Sequence, residues 1–384
     1  MATLKDWFCL AGNRDNFKLK VREDSNLIFC HIDEIDNQII GSIERRFAAN
    51  EPIKMLIYGD WGVGKTHTAY HIAWWLKKNM AEYPAYPLMI EVGDLERKSR
   101  FDILVRPFLD AISVHKLVEW AGQYLKLKGN LVKALKEVGV SDYVAATISK
   151  FNIAVPGETP PPVVMDAFQI LQGRKPGPGF ANNSLGFQLT ESRELFGVLL
   201  AIGEMYRAIY GHRIVFVADE AARLDEVSND EATLAHWVAV NRDIFDDNNN
   251  TFGFIYTLTG KANRLPRAIW EPQIQNRIGQ NAFELRTLSK TDVEEFLSRL
   301  VRELVDRTKV DQLVEDGTIP QSIYDASAYP FTTPAKQRFV EFFQRTQENA
   351  KPRDISDRLD LLGFIAIKSG ARLIDETCLE KANM

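Results

Sequence analysis

Apolar residues fall into two periods along this chain. At 53–58 a short apolar run, interrupted by Lys54, is bounded by Glu51-Pro52 before it and Gly59 after it, which predicts a buried strand. Runs of the same kind stand at 86–92, 214–218 and 252–258. Between them the spacing becomes helical. Residues 27–47 carry Ile32, Ile35, Ile39, Ile40 and Ile43, and 65–78 place Ala69, Ile72, Ala73 and Leu76 on one face. Further helices are predicted at 191–210, ending at Gly211 where a C-terminal cap belongs, and at 230–244, closed by the polar 246–250. From Ser289 onward the pattern is helical almost throughout, as at 293–305, 334–347 and 355–368. Strands alternating with helices, then helices alone, predict an α/β fold: a parallel sheet flanked by helices, with an all-helical domain after it. No repeat at solenoid spacing interrupts that order.

The stretch 100–190 fits the alternation least. Residues 114–150 read as helices rich in lysine (Lys116, Lys126, Lys128, Lys133, Lys136), diluted by Glu119, Glu137 and Asp142. Turn-rich patches follow at 156–162 and at 173–179, the second with Arg174 and Lys175, and both read as exposed connections.

Composition narrows the class only modestly. With 384 residues, 45% hydrophobic, the chain is long enough for two or three packed units. A formal net charge of −5 argues against coating nucleic acid through overall charge, and leaves room for a local basic patch. Cys9, Cys30 and Cys378 lie far apart with no CxxC pair, so neither a disulfide framework nor a zinc site is expected, and a cytoplasmic location is. The first ten residues lack the apolar core of a signal peptide, and no run is long enough to span a membrane. His67 and His71 stand four apart on one predicted helix, but no third ligand accompanies them, so a metal site there is not expected.

Chemistry enters at Gly59-Asp60-Trp61-Gly62-Val63-Gly64-Lys65-Thr66, which satisfies GxxxxGK[ST] without a gap and lies between a predicted strand and a predicted helix. Glycines let successive backbone N–H groups converge on one anion, and the helix starting near Lys65 adds the positive end of its dipole. Lys65 is placed to reach the β- and γ-phosphates of a nucleotide, the Thr66 hydroxyl to bind Mg²⁺, and the binding stretch runs on to His67. A second motif, Ile214-Val215-Phe216-Val217-Ala218-Asp219-Glu220, is an apolar strand ending in two carboxylates. Asp219 at the strand tip suits Mg²⁺, and Glu220 suits the activation of an attacking water.

With both motifs in place the sequence resembles the AAA+ ATPases, a group of P-loop NTPases. Within them it is most similar to the branch holding archaeal and eukaryotic replication initiators and bacterial transposition regulators. The resemblance runs from about residue 27 onward, apart from the middle stretch, and includes Asp219-Glu220-Ala221-Ala222-Arg223-Leu224. It implies domains at 1–50 (extension and entry helix), 51–285 (α/β ATPase core with a helical insert at about 105–190) and 286–384 (helical lid). It implies a polar sensor at the end of 252–258, with Thr259 the first choice and Thr257 the second. It implies an arginine finger, Arg277 or alternatively Arg267, that reaches a neighbouring subunit's γ-phosphate. Ser289 or Thr291 would cap the first lid helix, with Asp292, Glu294 and Glu295 following, and Arg353 in Lys351-Pro352-Arg353 would contact the nucleotide from the lid. Initiators of this branch usually continue into a winged-helix DNA-binding domain, and none is legible here.

The expectation is therefore an Mg²⁺-dependent ATPase with ATP as ligand. It would form homo-oligomers with the active site at the subunit interface and act as a switch or remodeller on DNA or a DNA-bound protein partner, away from membranes. Mobile-element regulation or antiviral defence would suit it. The competing expectation is an ATP-gated signalling scaffold with little turnover, and Glu220 is the residue that separates the two.

Overall fold

The computed structural model describes residues 3–92, 102–174, 189, 192–221, 231–246, 250–346 and 350–384. The predicted patch at 173–179 lies outside them beyond Arg174, as do Ala222, Arg223 and Leu224. The chain divides into two compact units, one of residues 36–59 and 69–284, the other of 1–35, 60–68 and 285–384.

The first unit is built on a five-stranded sheet of order β2-β3-β4-β1-β5, with β1 Lys54–Gly59, β2 Ala85–Glu91, β3 Arg213–Asp219, β4 Phe252–Thr259 and β5 Ala282–Leu285. β1 with β4, β4 with β3, and β3 with β2 all pair in parallel. Every residue of β3 is buried, which explains its unbroken apolar run: both faces of a parallel sheet are covered by helices. Lys54 is tolerated inside β1 because its ammonium donates to the Ile244 carbonyl and lies 5.7 Å from the Phe252 ring. The helix Ser192–Tyr210 packs on β4 through Gly203, where a Cβ would stand 3.1 Å from the Thr251 carbonyl oxygen. It ends, as its pattern predicts, at Gly211, which has φ +71°.

Residues 102–171 form five α-helices, Asp102–Ile112, Val114–Lys128, Leu131–Glu137, Asp142–Ser149 and Pro162–Leu171, with a 3-10 turn at Lys150–Ile153. Their apolar faces belong to the same core as the sheet. Phe108 stands edge-on to Phe216 of β3 and Phe254 of β4, with ring centroids 4.7 and 5.9 Å away. On the helix Val114–Lys128, Tyr124 is buried against Glu204, which also takes an ion pair from Arg207 at 2.7 Å.

The second unit is helical: Lys290–Leu304, Arg307–Glu315, Thr333–Arg345, Pro352–Ser369 and Glu376–Lys381 surround one apolar core. Ser289 caps the first of these in a reciprocal box with Asp292, the better of the two caps the sequence offered. The N-terminal segment is woven into this core. Leu10 bridges Val305, the Phe17 N–H donates to Asp360 at 2.7 Å, and Leu4 and Phe8 lie over Gly363.

The helix predicted over 27–47 is shorter than its pattern. Residues 27–31 are irregular, Asp33–Ile40 is a π-helix, and the regular α-helix is confined to Gly41–Ala48. His31 has φ +56°, a left-handed conformation that no helix continues through, and its ring is held at the Val63 carbonyl.

Candidate phosphate-binding loop and acidic strand end

The glycine-rich loop spans Asp60–Gly64 and leads into the helix Lys65–Lys78. Gly62 has φ +84° and Gly64 φ +105°, so two of its positions require a conformation that side chains oppose. A Cβ on Gly62 would also come within 3.3 Å of the Arg353 Cβ. The Lys65 ammonium curls back and donates to the Asp60 carbonyl at 2.7 Å, so its charge lies along the loop rather than away from it.

Two walls hold this loop. On one side the irregular segment before residue 32 supplies His31, whose Nε2 lies 3.1 Å from the Val63 carbonyl, and Leu27, whose carbonyl accepts from His67 Nε2 at 2.7 Å. Burial is the main reason both imidazoles sit below their ordinary pKa. His67 is neutral and packed against Phe29, so what it can offer a phosphate is its backbone N–H rather than its ring. Cys30 borders Gly64, and burial pushes its thiol up to about 12, which makes it an inert wall. On the other side the helix Pro352–Ser369 presents its first turn. The Arg353 N–H approaches the Gly62 carbonyl at 3.5 Å, and its guanidinium lies 4.5 Å from the ring centroid of Trp61, itself 58% exposed. The sequence expectation put Arg353 at the nucleotide, and it lies against the loop. The contacts of His31, Leu27 and Trp61 went unread, because their signal is only tertiary.

The acidic strand end belongs to the sheet unit. β1 and β3 run parallel with β4 between them, so Gly59 and Asp219 finish on the same edge of the sheet, about 10 Å apart by strand spacing. Asp219 is buried, and the Thr257 hydroxyl donates to its Oδ1. The same hydroxyl accepts the Glu220 N–H at 3.1 Å. Glu220 has φ +57°, so the chain turns sharply just past Asp219. Asp219 Oδ2 is buried without a hydrogen-bond partner. A solitary buried carboxylate oxygen at a sheet edge is suited to a cation or its water, so this residue fits Mg²⁺.

The remaining predicted residues are placed as follows. Thr259 ends β4 opposite Gly59 in the register, and it is Thr257, the second choice, whose hydroxyl joins the acidic pair. Arg277, on the helix Pro272–Ile278, is bound within its own chain to Asp246 and to the Gln273 carbonyl. Arg267 is more exposed and pairs with Glu271 at 3.1 Å. Among the described residues no group of three or more His, Cys, Asp or Glu is arranged to hold a metal by itself. Among them, too, no helix is long and apolar enough to cross a membrane.

No protein-family model matches the chain, and no curated protein matches it by sequence. Solved structures do resemble it. The ORC1 protein of Aeropyrum pernix in complex with DNA shares 12% identity at a TM-score of 0.45, over 93% of this chain and 65% of that one. Cdc6p of Pyrobaculum aerophilum shares 11% at 0.46, over 90% and 64%. The RuvB Holliday junction branch migration motor of Thermotoga maritima shares 11% at 0.39, over 92% and 68%. The chain thus spans just under two thirds of the length of the first two, and likenesses this distant say nothing of what it binds.

Proposed function

We propose that the chain is an AAA+ ATPase that binds ATP with Mg²⁺ and hydrolyses it, with 51–285 as the catalytic core and 286–384 as its lid. One observation carries this reading: a glycine-built loop with a lysine folded over it leaves one parallel strand, and a buried carboxylate with a partnerless oxygen ends another at the same edge. Backbone N–H groups from Gly59, Asp60, Trp61, Gly62, Val63 and Gly64 through Lys65, Thr66 and His67 are the donors on offer to phosphate oxygens. Lys65 exchanges the Asp60 carbonyl for a phosphate oxygen, a stronger, charge-assisted partner. Thr66 and Asp219 hold Mg²⁺, which when bound offsets the charge of the phosphates. Glu220 takes a proton from the water that attacks the γ-phosphorus, and the products are ADP and inorganic phosphate. Thr257 positions Asp219 and Glu220 together, and Thr259 lies at the strand end nearest Gly59. Arg353 reads the nucleotide from the lid, as its place against the loop supports.

Arg277, once released from Asp246, serves a neighbouring copy as its arginine finger, so the active unit is a homo-oligomer. DNA, or a protein bound to it, is the partner this reading favours, with mobile-element regulation or antiviral defence as its setting. Exposed lysines support that choice: Lys126 and Lys128 on the helix Val114–Lys128, and Lys133 on the next helix.

Steady-state phosphate release tests the proposal. Glu220→Gln should keep ATP binding and lose turnover by roughly a hundredfold or more, and Lys65→Ala should lose binding. Mixing Glu220→Gln with Arg277→Ala protein should restore part of the turnover, because one kind of interface then carries both groups. A wild-type chain that releases no phosphate with or without duplex DNA would sink the enzyme reading.

A further inference from the structure

A cavity of about 410 Å³ in the helical unit is lined by elements that the proposed ATPase chemistry does not use. It lies beside the C-terminal half of the helix Lys290–Leu304, the first residue of Arg307–Glu315, the segment 326–331 and Lys336. Four of its lining side chains are cations, Arg299, Arg302, Arg307 and Lys336, against one carboxylate, Glu295. Arg299 is matched by Glu295 at 2.9 Å, and Arg302 by Glu303 at 3.0 Å. Among the described residues neither Arg307 nor Lys336 has an ion-pair partner within reach. Lys336 donates to the Ser327 carbonyl at 2.6 Å, and Arg307 Nη1 is buried with no acceptor among the described residues.

Tyr329, 2% exposed, also lines the cavity, and its hydroxyl too is buried without a partner. The Arg307 guanidinium stands 5.8 Å from the Tyr329 ring. Burial raises the Tyr329 phenol, which therefore remains a donor at neutral pH. Burial lowers Lys336, the Glu294 and Asp325 carboxylates oppose it, and the Arg307 charge adds a smaller lowering. A guanidinium N–H and a phenol O–H, buried together and both unsatisfied, cost stability unless something accepts from them. Two converging cations call for an acceptor with more than one negative charge.

We propose that this cavity is a second ligand site, distinct from the glycine-rich loop, and that it binds a small phosphate-bearing molecule through Arg307, Lys336 and Tyr329. The volume suits a compact ligand of small-molecule size, and a phosphate dianion meets the two cations better than a carboxylate, which brings one charge. Leu297, Val301 and Phe331 supply an apolar wall for the rest of the molecule.

The test separates this site from the loop by working in Lys65→Ala protein, whose loop no longer holds phosphate strongly. Inorganic phosphate is titrated in and followed by phosphorus NMR line width and by the melting temperature, with sodium acetate at equal ionic strength as the control. Phosphate should bind saturably and raise the melting temperature, and acetate should do neither. Arg307→Met should weaken phosphate at least roughly tenfold. Without phosphate it should melt no lower than its parent, because it removes an unsatisfied buried donor, whereas an arginine kept for structure would lower it. Lys336→Met gives an independent second variant, with the same direction expected. Phosphate binding unchanged in both variants, or a response equal to that of acetate, overturns the proposal and leaves the loop reading untouched.

Discussion

Thr257→Val removes one hydroxyl from the buried strand β4 and almost nothing else, since valine keeps the shape and the β-branch. The hydroxyl has two jobs: it donates to Asp219 and accepts from the Glu220 N–H. Losing the donor to a carboxylate is worth about 1.5–3 kcal/mol, and leaving the partly buried Glu220 N–H unpaired about 1–3 kcal/mol. The two bonds share one atom, so the costs overlap, and about 2–4 kcal/mol in all is expected. Asp219 would then have neither oxygen hydrogen-bonded, because Oδ2 already has no partner. Urea denaturation followed by far-UV circular dichroism measures the loss. Thr257→Ser is the control, which keeps both bonds and gives up only a methyl, about 0.8 kcal/mol. If the proposed catalysis holds, Thr257→Val should also lower turnover by more than it lowers ATP affinity, because Glu220 loses the contact that holds its backbone. Valine and serine variants of equal stability would refute the bridge, as would a valine variant within about 0.5 kcal/mol of wild type.

Other outcomes follow from particular contacts. Gly64→Ala, at φ +105°, should cost about 1–3 kcal/mol of strain and abolish ATP binding, as read by calorimetry; Gly62→Ala should do the same and in addition press on Arg353. Gly363→Ala would place a Cβ 2.5 Å from Leu4, so overpacking should cost about 1–3 kcal/mol, or else release the N-terminal helix Leu4–Trp7 to limited proteolysis. Stability should also depend on pH through His31 and His67. Both are lowered by burial, so below the ordinary value of 6.5 the unfolded chain takes up protons that the folded chain refuses. Their contribution is complete above that value and falls as pH drops beneath it, by up to about 1.4 kcal/mol per pH unit for each ring. His67→Gln should flatten the slope measured between about pH 7.5 and 5.5; an unchanged slope would rule His67 out as its source.

How much of this could be read from the chain alone differs from element to element. The strands β1, β3 and β4 were legible because a strand buried on both faces must be apolar throughout, and the polar ends of those runs mark where the sheet stops. The loop was legible because Gly62 and Gly64 sit where the backbone needs positive φ, a requirement that shows directly in composition. The break at His31 was not legible, because isoleucines at helical spacing continue across it and only the contact with Val63 turns the chain. Thr257 ranked second for a related reason: a threonine in an apolar strand reads as a β-former, and its role depends on a neighbour in the sheet 38 residues away in sequence.

Local chemistry, then, was determined by the sequence itself: a phosphate-type loop between strand and helix, an acidic pair at a strand end, and a helical C-terminal region. These are properties of consecutive residues, set by backbone sterics and burial. Only the tertiary structure decided which strand lies between the two motifs, that Arg353 and Trp61 meet over the loop, and that the N-terminal segment joins the C-terminal helices in one core. It alone brings Arg307, Tyr329 and Lys336 to a common cavity. Each of those facts pairs residues distant in the chain, and what selects such pairs is the packing of a whole core, which no local pattern encodes.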